Sequence, residues 1–215
     1  MDPGVVTEQV FQLYMDHGSE DYLGEAVSKT QHSIQCGMLA EAEGFSKEIV
    51  IGAFLHDIGH LVGQEQQLPK MVTNDVNLGA ANHDTVGAKF LQDLGFPEIV
   101  CNLVGGHVKA KRYLVWKYAD YYEKLTSASK KTLEHQGGPM NSDEAASFET
   151  SPLHQIILRM RTWDERAKDP EAKMDSIDKF KNLCMEVLKD KYPSCDEHTV
   201  HTEKQSQPSQ RSFVA

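Results

Sequence analysis

Cysteine occurs only four times in 215 residues, as Cys36, Cys101, Cys184 and Cys195, and no two of them form a CxxC pair. That spacing gives no dense disulfide framework and implies reduced thiols in a cytosolic protein. No apolar run is long enough to span a bilayer, and the opening Met1-Asp2-Pro3-Gly4 is not a secretory signal. Positive charge is in deficit: 22 Lys and Arg face 32 Asp and Glu, a net charge of -10 with His neutral. Such a chain is a poor general binder of nucleic acid or anionic membrane, so neither is expected as a partner. A small anionic substrate would need local cations or a metal to overcome this field. Strand-like alternation of any length is missing, as are internal repeats. The fold class expected is therefore all-α, one compact domain over residues 1–193 with a disordered polar tail over 194–215.

Against these absences stand ten histidines, several of them in apolar helical surroundings. Hydrophobic spacing predicts a first helix over Val5–Asp16, a loop over 17–21, and a long helix from Glu25 to Glu43 ending at Gly44. Ser46 is placed to cap a buried helix carrying the run Ile49-Val50-Ile51-Gly52-Ala53-Phe54-Leu55, with Gly59 loosening its far end. Residues 61–82 are mixed and polar, a candidate lid. Helix is expected again over His83–Leu94 and from Pro97 to Val104, followed by Gly105-Gly106-His107. Further helical stretches are read at 111–124, Ser127–His135, a short one capped by Ser142, Leu153–Lys168 and about Met174–Lys189.

The buried run ends in Phe54-Leu55-His56-Asp57-Ile58-Gly59-His60. A His-Asp pair at the inner end of an apolar helix is costly to bury unless something neutralises it. A metal ion does so, because it takes neutral imidazole and ionised carboxylate. Taken singly, a core histidine is more often a satisfied packing residue than a ligand. Six candidates together, His32, His56, Asp57, His83, His107 and Asp164, are harder to dismiss. Imidazole and carboxylate without thiolate suit iron or manganese better than structural zinc.

The pattern His32, His56-Asp57 and Asp164 resembles the HD-domain metalloproteins, and His83 and His107 match the two extra histidines of their dinuclear branch. The resemblance implies one ion on His32, His56, Asp57 and Asp164, and a second, under-coordinated ion on His83, His107 and the bridging Asp57. Longer stretches narrow it. Asp21-Tyr22-Leu23-Gly24-Glu25-Ala26, Gly106-His107-Val108-Lys109-Ala110-Lys111-Arg112-Tyr113-Leu114, Thr132-Leu133-Glu134-His135-Gln136-Gly137-Gly138-Pro139-Met140 and Arg161-Thr162-Trp163-Asp164-Glu165 are similar to the di-iron organophosphonate oxygenases. The similarity covers roughly residues 7–190. It implies two iron ions in a mixed-valent Fe(II)/Fe(III) pair, O2 as co-substrate, and cleavage of the C–P bond of 2-amino-1-hydroxyethylphosphonate to glycine and phosphate.

The same resemblance assigns Lys111 and Arg161, with Ser129, Thr132 and Gln136, to the phosphonate, and Glu25 to the substrate ammonium. Tyr22 becomes a gate that occupies a metal position at rest, and His60 a donor to bound oxygen or substrate. A monomer or weak homo-oligomer is expected, in the cytoplasm. Segment 72–82 departs from the family pattern. Two alternatives stay open: a dinuclear phosphohydrolase acting on a nucleotide or phosphate ester, and an oxygenase for a trimethylammonium hydroxyphosphonate. A degenerate metal-binding scaffold is a third, disfavoured because all six ligand positions are filled.

Overall fold

Asp2 caps the first helix, its Oδ1 accepting from the backbone N–H groups of Gly4 and Val5. That helix, α1, spans Pro3–His17. The computed structural model describes residues 1–22 and 25–191, so the expected tail and Cys195 lie outside the described residues. Ten further helices follow: α2 (Lys29–Ala42), α3 (Lys47–Leu55), α4 (Ile58–Glu65), α5 (His83–Asp93), α6 (Glu98–Lys117), α7 (Tyr121–Lys124), α8 (Ser127–His135), α9 (Ser142–Glu149), α10 (His154–Arg166) and α11 (Ile177–Lys191). Between α4 and α5 lies a hairpin of β1 (Lys70–Thr73) and β2 (Val76–Ala80). The all-α expectation holds for the body of the fold, with this small antiparallel ribbon as the exception.

Helices α2, α6, α10 and α11 pack around α3, which is more apolar than any of them. Phe54 of α3 is stacked between Phe11 and Phe180, with ring centroids 5.5 and 4.8 Å away. Gly37 lets the Phe180 ring lie directly on α2, since a Cβ there would fall 2.3 Å from the ring. No helix among the described residues is long and apolar enough to cross a membrane. Cys36, Cys101 and Cys184 are free thiols.

Four sequence expectations are corrected. The long helix starts at Lys29 rather than Glu25, because Ser28 and Gln31 form a reciprocal capping box that fixes the first turn. The buried helix does not run through to Gly59. It breaks at His56 and Asp57, and α4 restarts at Ile58. Helix α6 continues through Gly105 and Gly106 to Lys117, and its second glycine is a packing device: a Cβ on Gly106 would lie 2.8 Å from Ile157 of α10. Residues 70–80 form strands although no alternation announced them. Asn74 and Asp75 both adopt positive φ (50° and 62°), the two-residue turn that matches strand twist, and they join the pair Thr73 and Val76.

Candidate metal centre

Asp57 sits in the two-residue break between α3 and α4, where its carboxylate is not aligned with either helix and reaches inward. Gly59 keeps the start of α5 close, because a Cβ there would fall 1.8 Å from the His83 carbonyl oxygen. His83 thereby enters the site from the first position of α5. Gly106 seats α6 on α10, bringing the helices of His107 and Asp164 together. His32 comes from the first turn of α2. All six candidate ligands named from the sequence are buried and converge on one place.

They form two clusters sharing Asp57. In the first, His32 Nε2 lies 3.2 Å from His56 Nε2, 3.8 Å from Asp57 Oδ2 and 3.4 Å from Asp164 Oδ1. His56 Nε2 lies 3.3 Å from the same Asp57 oxygen. In the second, His83 Nε2 and His107 Nε2 are 3.0 Å apart, and each is 3.3–3.4 Å from Asp57 Oδ1. One carboxylate thus presents one oxygen to each cluster.

The protonation pattern decides what these clusters can hold. His32, His56 and His107 each donate Nδ1–H to a backbone carbonyl, of Ala167, Ala53 and Val104 respectively, at 2.7–2.9 Å. When neutral, all three therefore present a bare lone pair from Nε2. The facing His32 and His56 lone pairs, 3.2 Å apart in a buried site, repel unless a cation lies between them, and in the second cluster the buried His83 Nδ1 has no partner to fix its tautomer. The donor set fits one ion on His32, His56, Asp57 and Asp164, and a second on His83, His107 and Asp57. His60 also lies close, its ring stacked on His83 at 3.9 Å between centroids. His60 groups with Asp57 and His83 closely enough to hold an ion, although the family resemblance places it outside the ligand set. Its Nδ1 accepts the Ala80 N–H at 3.0 Å, which leaves the proton on Nε2.

Electrostatics follow the same plan. Burial works to raise the pKa of Asp57, but His56, with the neighbouring imidazoles, holds the carboxyl well below the usual range. Asp164 is likewise held down, against burial, first by the Arg161 guanidinium. Burial brings His60 down to about 4, so its ring is neutral. Lys111 is brought down to about 7, by burial first and then by the Arg161 charge.

The remaining predicted residues line a second wall. Lys111 donates to Thr132 Oγ1 at 2.9 Å. Ser129 and Gln136 face the same small cavity, and the Gln136 Oε1 atom is buried without a partner. Arg161 is less free than expected. It bonds Asp164, and its Nε reaches Tyr121 and Glu165 at 3.1 Å. The Tyr22 phenol donates to Asp57 Oδ2 at 2.7 Å and stacks on His32. Glu25 is also engaged, in an ion pair of 2.8 Å with Lys168.

Lys168, Tyr121 and Cys36 were not read from the sequence as residues of the site. Lys168 follows Asp164 by four residues and Cys36 follows His32 by four, so helical spacing could have flagged both. The Cys36 sulfur is 3.8 Å from His32 Nε2. Tyr121 carries no local signal.

A sequence profile of the HD domain matches residues 30–174. Among similar proteins, "Uncharacterized protein L432" of Acanthamoeba polyphaga mimivirus is 37% identical over 83% of this chain and 80% of its own length. A "[1-hydroxy-2-(trimethylamino)ethyl]phosphonate dioxygenase (glycine-betaine-forming)" of Leisingera caerulea is 35% identical, covering 83% of this chain and 87% of the relative. A "Hydroxymethylphosphonate dioxygenase" of Gimesia maris is also 35% identical, with 83% and 86% covered.

Proposed function

This chain belongs to the HD domain family, and from that membership we propose that it is an oxygenase cleaving the C–P bond of a small 1-hydroxyphosphonate. The observation that carries the reading is the single carboxylate of Asp57 shared between two clusters of imidazole Nε2 atoms, beside a wall of buried Lys111, Thr132 and Arg161. Two relatives with phosphonate dioxygenase activity in their names support it. The reaction balances as R–CH(OH)–PO3(2−) plus O2 to R–COO(−), HPO4(2−) and H(+), with one oxygen atom added to each product. A mixed-valent iron pair, when bound, supplies Lewis acidity toward the substrate hydroxyl and the electrons that engage O2.

The protein's own groups then have definite tasks. His32, His56, Asp57 and Asp164 would hold one ion, and His83, His107 and Asp57 the other, leaving it open positions. Lys111 and Arg161 offset the phosphonate charge, with Ser129, Thr132 and Gln136 as hydrogen-bonding partners. Tyr22 must release Asp57 before a substrate oxygen can take its place. His60 presents a neutral Nε2–H to the oxygen atoms of the substrate.

The finer reading is 2-amino-1-hydroxyethylphosphonate, with Glu25 receiving the ammonium. The Glu25–Lys168 ion pair weighs against it, because the carboxylate is already neutralised. That pair favours the second reading, a trimethylammonium hydroxyphosphonate that does not depend on one carboxylate. Iron-reconstituted protein should consume O2 and release phosphate when given 1-hydroxyphosphonates. Release of phosphate from a phosphate ester without air, and no oxygen uptake with any phosphonate, would establish a phosphohydrolase instead.

A further inference from the structure

Two cavities meet the candidate metal centre from different sides. The first is the small one that carries Lys111, Arg161 and Glu25, about 30 Å³ in volume. The second is about 480 Å³, within the roughly 300–1,000 Å³ common for small-molecule sites. Both are walled by Tyr22, Asp57 and His60, which stand between them. The function proposed above uses the small cavity and leaves the large one without a task.

We propose that the large cavity is the chamber for the substituent on the hydroxyl-bearing carbon, and that the enzyme prefers 1-hydroxyphosphonates with a long, polar substituent. The inference rests on the phosphonate oxygenase reading. With the phosphonate against Lys111 and Arg161, the small cavity is filled. Its far wall is closed by the Glu25–Lys168 pair at 2.8 Å. The substituent then extends across Asp57 to the side now shut by Tyr22, and the space beyond that ring is the chamber. Tyr22 is held there by its hydrogen bond to Asp57 and by stacking on His32, both of which a substrate oxygen at Asp57 competes with.

The chamber's chemistry sets the class of substituent. Its inner wall is Tyr14, Leu61 and Ala80, and its mouth carries Glu20, Lys29 and Gln64 as one bonded network. Asp21 and Lys70 at the same mouth have no ion pair among the described residues, so a polar end group of either sign finds a partner. The hairpin contributes Lys70, Asn77, Gly79 and Ala80 to this lining.

The test compares kcat/KM in iron-reconstituted protein for hydroxymethylphosphonate, the 2-amino and 2-trimethylammonio compounds, and a 1-hydroxyphosphonate with a longer polar chain. A rise of at least tenfold from hydroxymethylphosphonate to the longer members is expected. Gln64→Phe and, separately, Asn77→Trp should each lower the ratio of long to short substrate by about tenfold, with iron content checked in both. Turnover of hydroxymethylphosphonate without turnover of the longer members would overturn this inference alone, as would a ratio that neither variant moves. Absence of oxygen uptake with the whole series would overturn the phosphonate reading and this inference together.

Discussion

The backbone N–H of Ala80 donates to Nδ1 of His60 at 3.0 Å, which fixes the tautomer of a buried ring from a neighbouring hairpin. Gly79 makes the approach feasible, since a Cβ on it would lie 2.4 Å from two atoms of that ring, and its φ is +86°. Gly79→Ala should therefore push His60 out of place and strain the strand by about 1–2 kcal/mol. The expected outcome is a fall in kcat of roughly 10²-fold, the lower end for a positioned proton donor, with iron content retained. Unaltered kcat in a folded, iron-loaded variant would remove His60 from the chemistry.

Asp57 gives a sharper test of the two-ion arrangement. Each of its oxygens serves a different cluster, at 3.3 Å from His56 and from His107. Asp57→Ala should lose both irons, whereas Asp164→Ala should weaken only the cluster of His32 and His56. Iron analysis of the purified variants reads this directly, and retention of both ions without Asp57 would contradict the shared carboxylate.

Lys111 predicts the alkaline limb of the pH profile. Burial and the Arg161 charge set its pKa at about 7, while Asp164 and Asp57 pull the other way and Lys168 adds to the depression. Only the protonated form offsets the phosphonate. As pH rises through 7 the charge is lost, so kcat/KM should fall about tenfold per unit above that point, because this parameter reports the free enzyme. Lys111→Arg keeps its charge over the same range and should flatten the limb. A limb that persists unchanged in that variant would assign it to another group.

Glu25 and Lys168 form a reciprocal test of amine recognition. If Glu25 receives the ammonium, Glu25→Ala should raise KM for the 2-amino substrate more than it impairs iron loading. Lys168→Met frees the carboxylate and should lower the same KM. Kinetics indifferent to both changes would exclude the role.

What could be read in the sequence is what local chemistry dictates. The apolar run ending in His56-Asp57 marked a buried polar pair that demands a cation, and the four other donors sit on faces whose helical spacing is visible. What stayed hidden depends on distant parts of the chain. Helix α6 passes through Gly105 and Gly106 because Ile157, some fifty positions later, fills the space beside it. The hairpin buries Met71, Leu78 and Ala80, but its strands are four and five residues long and the equally apolar Val72 and Val76 are exposed, so hydropathy does not follow the pleat and the signal was confined to the Asn74-Asp75 turn. The engagement of Glu25 by Lys168 joins residues 143 apart, beyond any periodicity.

That hairpin supplies none of the six donors, yet it grips both sides of the reaction space. Its base holds His60 through Ala80, and its tip bonds α8, the helix of Ser129 and Thr132, where Thr73 meets His135 at 2.7 Å. Eleven consecutive residues, 70–80, can therefore be exchanged as a cassette while every donor keeps its place outside it. Grafting them between relatives offers a route to new substrate ranges that leaves the inorganic machinery as it is.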